Sequence, residues 1–269
     1  MIDDAWLDEF HRTAERVREV TAPLLGTAAG RVEVGDGAGG DRTLELDRAA
    51  EETVLACMRE IAERGERFTV LSEEVGRVDL GAPFPLVVID PVDGSLNAKR
   101  GLPVAAVMLS LLDGPTLADV RVGVVHNLFT GERWHAVRGR GLVHDRRAAQ
   151  LQRPAAGRIQ VLGLESSPRS FTGASALIRR ASKLRLFGSV AVSLAHTAAG
   201  GLDAYCSPMP SRTFDASAGV LMIREAGGVV GDVDGRPVDH LDAGLDTRTT
   251  LLCAGDPATH RLALSLLHG

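Results

Sequence analysis

Ile89-Asp90-Pro91-Val92-Asp93-Gly94-Ser95 closes the apolar run Leu86-Val87-Val88-Ile89 with two carboxylates three residues apart. A buried strand has little structural reason to finish in two acids, whereas a hard cation needs oxygen ligands held close together. Pro91 bars a regular ladder and bends the chain, which lets Asp90, the Val92 carbonyl and Asp93 converge on one point. Gly94-Ser95 then offers backbone N–H groups at a predicted helix start, where a phosphate can sit. Turn chemistry alone reads the same residues as an Asp-Gly turn between two strands. Both readings stand on this stretch by itself.

Working outward, two more acidic sites follow the same logic. Glu73-Glu74 ends the predicted strand Phe68–Leu71, and Thr213-Phe214-Asp215 leads into a predicted helix from Ala216 to Ala226. Asp215 alone is most simply an N-cap, and so is Asp47 at the head of a helix expected over Asp47–Ala62. Before it, Trp6, Phe10, Ala14, Val17, Val20 and Leu24 recur at helical spacing between Asp4 and Gly26. Gly26–Gly40 reads as a glycine-rich loop around a strand at Val32-Glu33-Val34. Ala105–Leu112, Val120–Val125 and Arg133–Val137 read as successive strands, and the second half alternates strand with helix. Asp256 caps a last helix, with Pro257 at its first position. The Arg- and Gly-rich stretch 138–155 is the best candidate boundary, dividing the chain into an acidic α+β part (1–145) and an α/β part (146–269) that completes the site.

The 269 residues carry 30 Lys and Arg against 35 Asp and Glu, a net charge of −5, without the basic excess of a nucleic-acid binder. No apolar run reaches the roughly 18 residues of a membrane span, and Met1-Ile2-Asp3-Asp4 is the wrong start for a secretory signal. Cys57, Cys206 and Cys253 lack paired spacing, which argues against a disulfide framework or a thiolate zinc site and fits a cytoplasmic protein. The histidines show no ligand spacing and read as structural or surface residues. The arginines at 138, 140, 146 and 147 read as a solvated basic face.

Ser72-Glu73-Glu74, Asp90-Pro91-Val92-Asp93-Gly94-Ser95-Leu96-Asn97, Phe214-Asp215-Ala216-Ser217-Ala218-Gly219 and Glu225-Ala226-Gly227-Gly228 occur in this order. So arranged, they closely resemble the inositol monophosphatase family, related to fructose-1,6-bisphosphatases and phosphoadenosine phosphatases. The resemblance runs from the Asp41–Asp47 segment to Asp256. It implies a layered α/β/α/β/α sandwich, a homodimer, and a Mg2+-dependent phosphomonoesterase acting on a small phosphorylated polyol or sugar. It further implies that Glu73, Asp90, the Val92 carbonyl, Asp93 and Asp215 hold two or three Mg2+ ions, with Mn2+ as a possible substitute. Asp47 and Ser95 match the pair that activates water, with Glu73 beside them in the catalytic set. The Gly94 and Ser95 amides match the phosphate cradle, and Gly188-Ser189-Val190 the segment that meets the substrate's body.

Departures from the family pattern bear on the substrate. Ser95 stands where Thr is common, Phe214 replaces the usual Trp, and the usual Thr before Asp47 is displaced. The acid that meets the inositol ring in animal members is replaced near Ser207-Pro208. Arg212, three residues before Asp215 and expected to bind substrate, and Gly101-Leu102-Pro103 look more like archaeal-type members, several of which also hydrolyse fructose-1,6-bisphosphate. A 3'-phosphoadenosine phosphatase, or a non-catalytic binding protein on the same fold, are the other readings the sequence leaves open.

Overall fold

The fold is given by a computed structural model, which describes residues 2–37, 42–145, 147–148, 158–165, 167 and 171–269. Helix α1 (Ile2–Thr21) is followed by short strands β1 (Glu33–Asp36) and β2 (Arg42–Leu44) and by helix α2 (Glu45–Glu63). Strands β3 (Phe68–Ser72) and β4 (Gly76–Asp93) lead to helix α3 (Ser95–Arg100). Strands β5 (Ala106–Leu112), β6 (Val120–Asn127), β7 (Arg133–Val137), β8 (Leu142–His144) and β9 (Arg147–Ala148) come next. The second half holds β10 (Val161–Leu164), α4 (Ser175–Arg180), β11 (Lys183–Arg185), α5 (Val190–Ala198), β12 (Ala204–Arg212), α6 (Thr213–Glu225), β13 (Val229–Gly231), β14 (Arg248–Ala254) and α7 (Pro257–His268).

Two larger sheets result: a seven-stranded one in the order β3 to β9, and a five-stranded one in the order β11-β10-β12-β14-β13. Alternation along the strands decides what each face covers. On β5, Val107, Leu109 and Leu111 pack toward α1 and α2 with Phe10, Val17, Val54 and Met58. Ala106, Met108 and Leu112 pack toward α5 and α6 with Leu194, Phe214 and Met222. The second sheet alternates likewise. Tyr205 and Cys253 face α5 and α6, while Ala204, Cys206, Leu252 and Ala254 face Leu177 of α4 and Ala263 of α7. The molecule is therefore a layered α/β/α/β/α sandwich with α5 and α6 in the middle layer.

Close backbone approach holds that layer. A Cβ on Gly219 of α6 would lie 2.4 Å from the Leu194 Cβ of α5, and one on Gly123 of β6 would lie 3.0 Å from the Ala218 Cα. The Ser110 and Ser217 hydroxyls meet at 2.8 Å inside the same core. Among the described residues, no helix is long and apolar enough to cross a membrane.

Several boundaries differ from the sequence reading. Helix α1 ends at Thr21 rather than near Gly26, just before Ala22-Pro23, and Val20 is exposed. Helices α2 and α6 begin earlier than expected, so neither Asp47 nor Asp215 is an N-cap. Each is the third residue of its helix, with Leu44 and Arg212 in the cap positions. Strand β12 was not anticipated, because Pro208 and Pro210 lack ladder donors; its pairing with β14 is interrupted between Ser207 and Ser211. Within the candidate boundary at 138–155, Arg146 and residues 149–155 lie outside the described residues, as do residues 38–40 of the first loop and Asp41.

Candidate active site

The acids gather where strands of the first sheet end. As residue number rises along β3, its partners rise from Leu86 to Ile89 on one edge and fall from Leu80 to Gly76 on the other. Strand β3 is therefore gripped by both arms of β4, and the ends at Ser72 and Ile89 lie side by side. Glu73 leaves the first and Asp90 the second. The ladder between β4 and β5 shifts register from Asp90 to Asp93, the local break expected at Pro91. Here the Val92 N–H donates to Asp90 Oδ1 at 3.0 Å, and the Ser95 hydroxyl donates to the Val92 carbonyl at 2.9 Å.

A cavity of about 410 Å³ opens over this turn, and Asp47, Glu73, Asp90, Val92, Asp93, Gly94, Ser95, Gly188 and Arg212 all line it. The other three expected residues stand behind the wall. Ser189 caps α5 and donates its hydroxyl to Asp93 Oδ2, while the Val190 and Ala191 N–H groups donate to the same carboxylate at 3.2 and 2.9 Å. Helix α5 thus presents its N-terminal N–H groups and dipole to Asp93. Asp215 is reached through Arg212, whose Nε lies 3.2 Å from Asp215 Oδ2 and whose Nη2 lies 2.6 Å from Glu73 Oε1.

Gly94 permits this packing. It is left-handed at φ 87°, and a Cβ there would lie 3.0 Å from the Val104 carbonyl and 3.2 Å from that of Gly188. The Asn97 amide ties the same loops together, donating to the carbonyls of Val104 at 2.8 Å and Phe187 at 2.6 Å.

The cluster is electrostatically costly as it stands. Burial pushes Asp93 up to about 6 against its three hydrogen bonds, and pushes Asp215 up to about 7 although Arg212 opposes the rise. Burial, with Glu73, Asp93 and Asp215 nearby, holds Asp90 well above the usual carboxylate range. Burial also lifts Asp47 to about 6, tempered by the Leu44 N–H, which donates to Oδ2 at 3.0 Å, and by the Ser95 hydroxyl. Among the described residues, the buried Oδ1 atoms of Asp47 and Asp215 have no hydrogen-bond partner. One guanidinium does not balance Glu73, Asp90, Asp93 and Asp215. A set of oxygen donors with orphaned lone pairs and surplus negative charge fits hard divalent cations.

Sequence reasoning missed other residues at the site. Glu33, Arg42, Leu96 and Lys99 line the cavity. Glu51 sits one helical turn beyond Asp47, a spacing that only becomes informative once α2 is known to carry Asp47 inward. Elsewhere, the β7–β8 hairpin brings His144 Nε2 to 2.7 Å from Glu132 Oε1, beside Asp145. These three donors lie close enough together to hold a metal, an arrangement that the twelve-residue spacing conceals. The group is half exposed, and Asp145 Oδ1 accepts from the Arg133 N–H at 3.2 Å.

The layered fold and its acid-lined cavity define a class to which comparison with known proteins gives a family. The model of the inositol monophosphatase family matches residues 6–267, and the chain belongs to that family. It is 29% identical over 273 residues to a fructose-1,6-bisphosphatase/inositol-1-monophosphatase of Methanothermobacter thermautotrophicus, covering 97% of this chain and 96% of the relative. It is 33% identical to an inositol-1-monophosphatase of Mycolicibacterium smegmatis over 85% of this chain and 81% of the relative. Among solved structures, an inositol monophosphatase–fructose-1,6-bisphosphatase superposes with a TM-score of 0.84 at 23% identity, covering 97% of this chain and 99% of the other.

Proposed function

We propose that the chain is a phosphomonoesterase acting on a small phosphorylated sugar or polyol. The observation that carries this reading is the convergence of Glu73, Asp90, Asp93, Asp47 and Ser95 on one cavity, with Asp215 joined to it through Arg212. Glu73, Asp90, the Val92 carbonyl, Asp93 and Asp215 would hold two or three Mg2+ ions, with Mn2+ as substitute. When bound, the metal would offset the carboxylate field toward a dianionic ester and make water a stronger acid.

The chain's own residues do the rest. Asp47, at about 6, is a carboxylate above that pH and can accept a proton near neutrality. The Ser95 hydroxyl, directed at the Val92 carbonyl, can rotate toward Asp47, passing its proton there as it takes one from water. The Gly94 and Ser95 N–H groups open α3 and have no intrahelical partner, leaving them for phosphate oxygens. Gly188, which lines the cavity beside Gly94, would meet the body of the ester, and Arg212 fixes Glu73 and Asp215 relative to each other.

A second reading, action on fructose-1,6-bisphosphate as well as inositol phosphates, is favoured by Arg212 and by the double name of the Methanothermobacter relative. Assay of inositol phosphates, fructose-1,6-bisphosphate and 3'-phosphoadenosine compounds, with Mg2+ and with chelator, tests both. Hydrolysis of a sugar or polyol phosphate that chelation abolishes is the expected result, and undiminished activity after exhaustive chelation would remove the metal from the reading. The homodimer, the division at 145/146, a cytoplasmic location and the lack of nucleic-acid or membrane partners belong to the same proposal. Light scattering tests the first of these.

A further inference from the structure

Helix α2 carries a second buried acid one turn beyond Asp47. Glu51 is only 4% exposed; its Oε2 accepts from the Ser72 hydroxyl at 2.6 Å, and its Oε1 has no hydrogen-bond partner among the described residues. Ser72 is fully buried and stands immediately before Glu73. Its Oγ also lies 3.2 Å from the carbonyl of Ile89, the residue immediately before Asp90. One carboxyl, one hydroxyl and one carbonyl therefore link α2 to the two strand ends from which Glu73 and Asp90 depart.

The hydroxyl has a single proton. If Ser72 donates it to Ile89, its oxygen is left to accept, and a carboxyl satisfies that only when protonated. Burial pushes Glu51 up to about 7 although the Ser72 hydroxyl opposes the rise. Near neutral pH the carboxyl can therefore accept from Ser72 when ionised or donate to it when protonated, and the link to Ile89 stands in either form. A leucine at position 51 would fill similar space without the cost of burying a polar group. The acid therefore does something that packing does not require.

We propose that Glu51, acting through Ser72, is a positioning residue that fixes Glu73 relative to Asp90 and so sets the affinity of the cavity for divalent cations. This rests on the reading of those acids as cation ligands. Neither residue touches substrate in this scheme.

The test is calorimetric titration of Mg2+ into the substrate-free protein. Ser72→Ala and Glu51→Ala should each raise the Mg2+ dissociation constant about tenfold, the usual scale for a lost supporting hydrogen bond, with unchanged circular dichroism. Glu51→Gln, whose amide can donate to Ser72, should restore the affinity to near the parent value. Parent-like Mg2+ binding in both alanine variants would overturn the proposal. So would a Glu51→Gln variant as weak as Glu51→Ala, since charge and not position would then matter. Should Glu51→Ala fail to fold, Ser72→Ala, which removes one oxygen, and Glu51→Gln carry the same comparison. Asp93→Asn in the same titration separates the two levels: if it too binds Mg2+ normally, the ligand assignment itself fails; if it alone weakens binding, only the Glu51 inference fails.

Discussion

Asp93 and Asp215 are held by different means, and their substitution should report the difference. Asp93→Asn keeps volume but removes an anion that accepts from Ser189, Val190 and Ala191. Asp215→Asn removes one of the two acids that Arg212 bridges. Each should lower kcat/KM by at least about a hundredfold with the fold intact, since loss of one ligand costs several kcal/mol of charge stabilisation. Steady-state kinetics at saturating Mg2+ checks this, and a parent-like rate in either variant would exclude that residue as a ligand. Ser95→Ala should lower kcat with little change in KM. Adding Asp47→Asn should then cost little more than the worse single change, because the two residues move one proton together. Additive losses in that cycle would mean that they work independently. Glu73, Asp90 and Asp93 were legible because acids at the end of an apolar strand have no packing rationale, whereas Asp47 and Asp215, which read alone as helix caps, entered only through the family motifs. Glu51 and the Glu132–His144 pair were not legible, because residues 21 and 12 apart show no local pattern until α2 packs on β3 and the β7–β8 hairpin closes.

At the scale of elements, the turn at Gly94 and the crossing of α5 with α6 are the places without slack. Gly94→Ala would force a left-handed residue against two carbonyls. It should destabilise the protein by about 1–3 kcal/mol and disturb the phosphate cradle at the same time. Gly219→Ala meets the Leu194 Cβ at 2.4 Å, so α5 and α6 must separate; a similar loss is expected, with Mg2+ affinity less affected because the contact is remote from the acids. Urea denaturation measures both. Strands β3, β5, β6, β7 and the second arm of β4 were legible from their β-branched runs, and α7 from Asp256 and Pro257; β8, β9 and the first arm of β4 were not. The starts of α2 and α6 were not, because an acid three residues into a helix can look like its cap. In α2, Asp47 accepts from the Leu44 N–H rather than capping the turn ahead of it.

For the whole molecule, the raised carboxyls make a prediction about pH. Asp47 and Asp93 at about 6 and Asp215 at about 7 bind protons in the folded state that the unfolded chain, with carboxyls near 4, has already released. Stability conferred by these groups is therefore present at low pH and lost as pH rises from about 4 to about 7. Without metal, the melting temperature attributable to them should fall across that window. Added Mg2+ should reverse the trend by binding the ionised site, most strongly above pH 7. Differential scanning calorimetry at several pH values with and without Mg2+ checks the sign. A pH-independent stabilisation by Mg2+ would disconnect the cation from these carboxyls. The layered arrangement followed from the family motifs more than from periodicity, since α6 is buried on nearly every face and shows no amphipathic stripe to assign it to a layer.

That middle layer has a consequence for synthesis on the ribosome. Met108 and Ser110 of β5 find their partners on α6, more than a hundred residues later in the chain. When the strands of the first sheet have emerged, the apolar face that α5 and α6 will cover is still open to solvent. The nascent chain must carry that face until translation supplies the two helices, an interval of several seconds at ordinary elongation rates. Its aggregation during expression should therefore track how long translation pauses between β9 and α6, more than the stability of the finished protein.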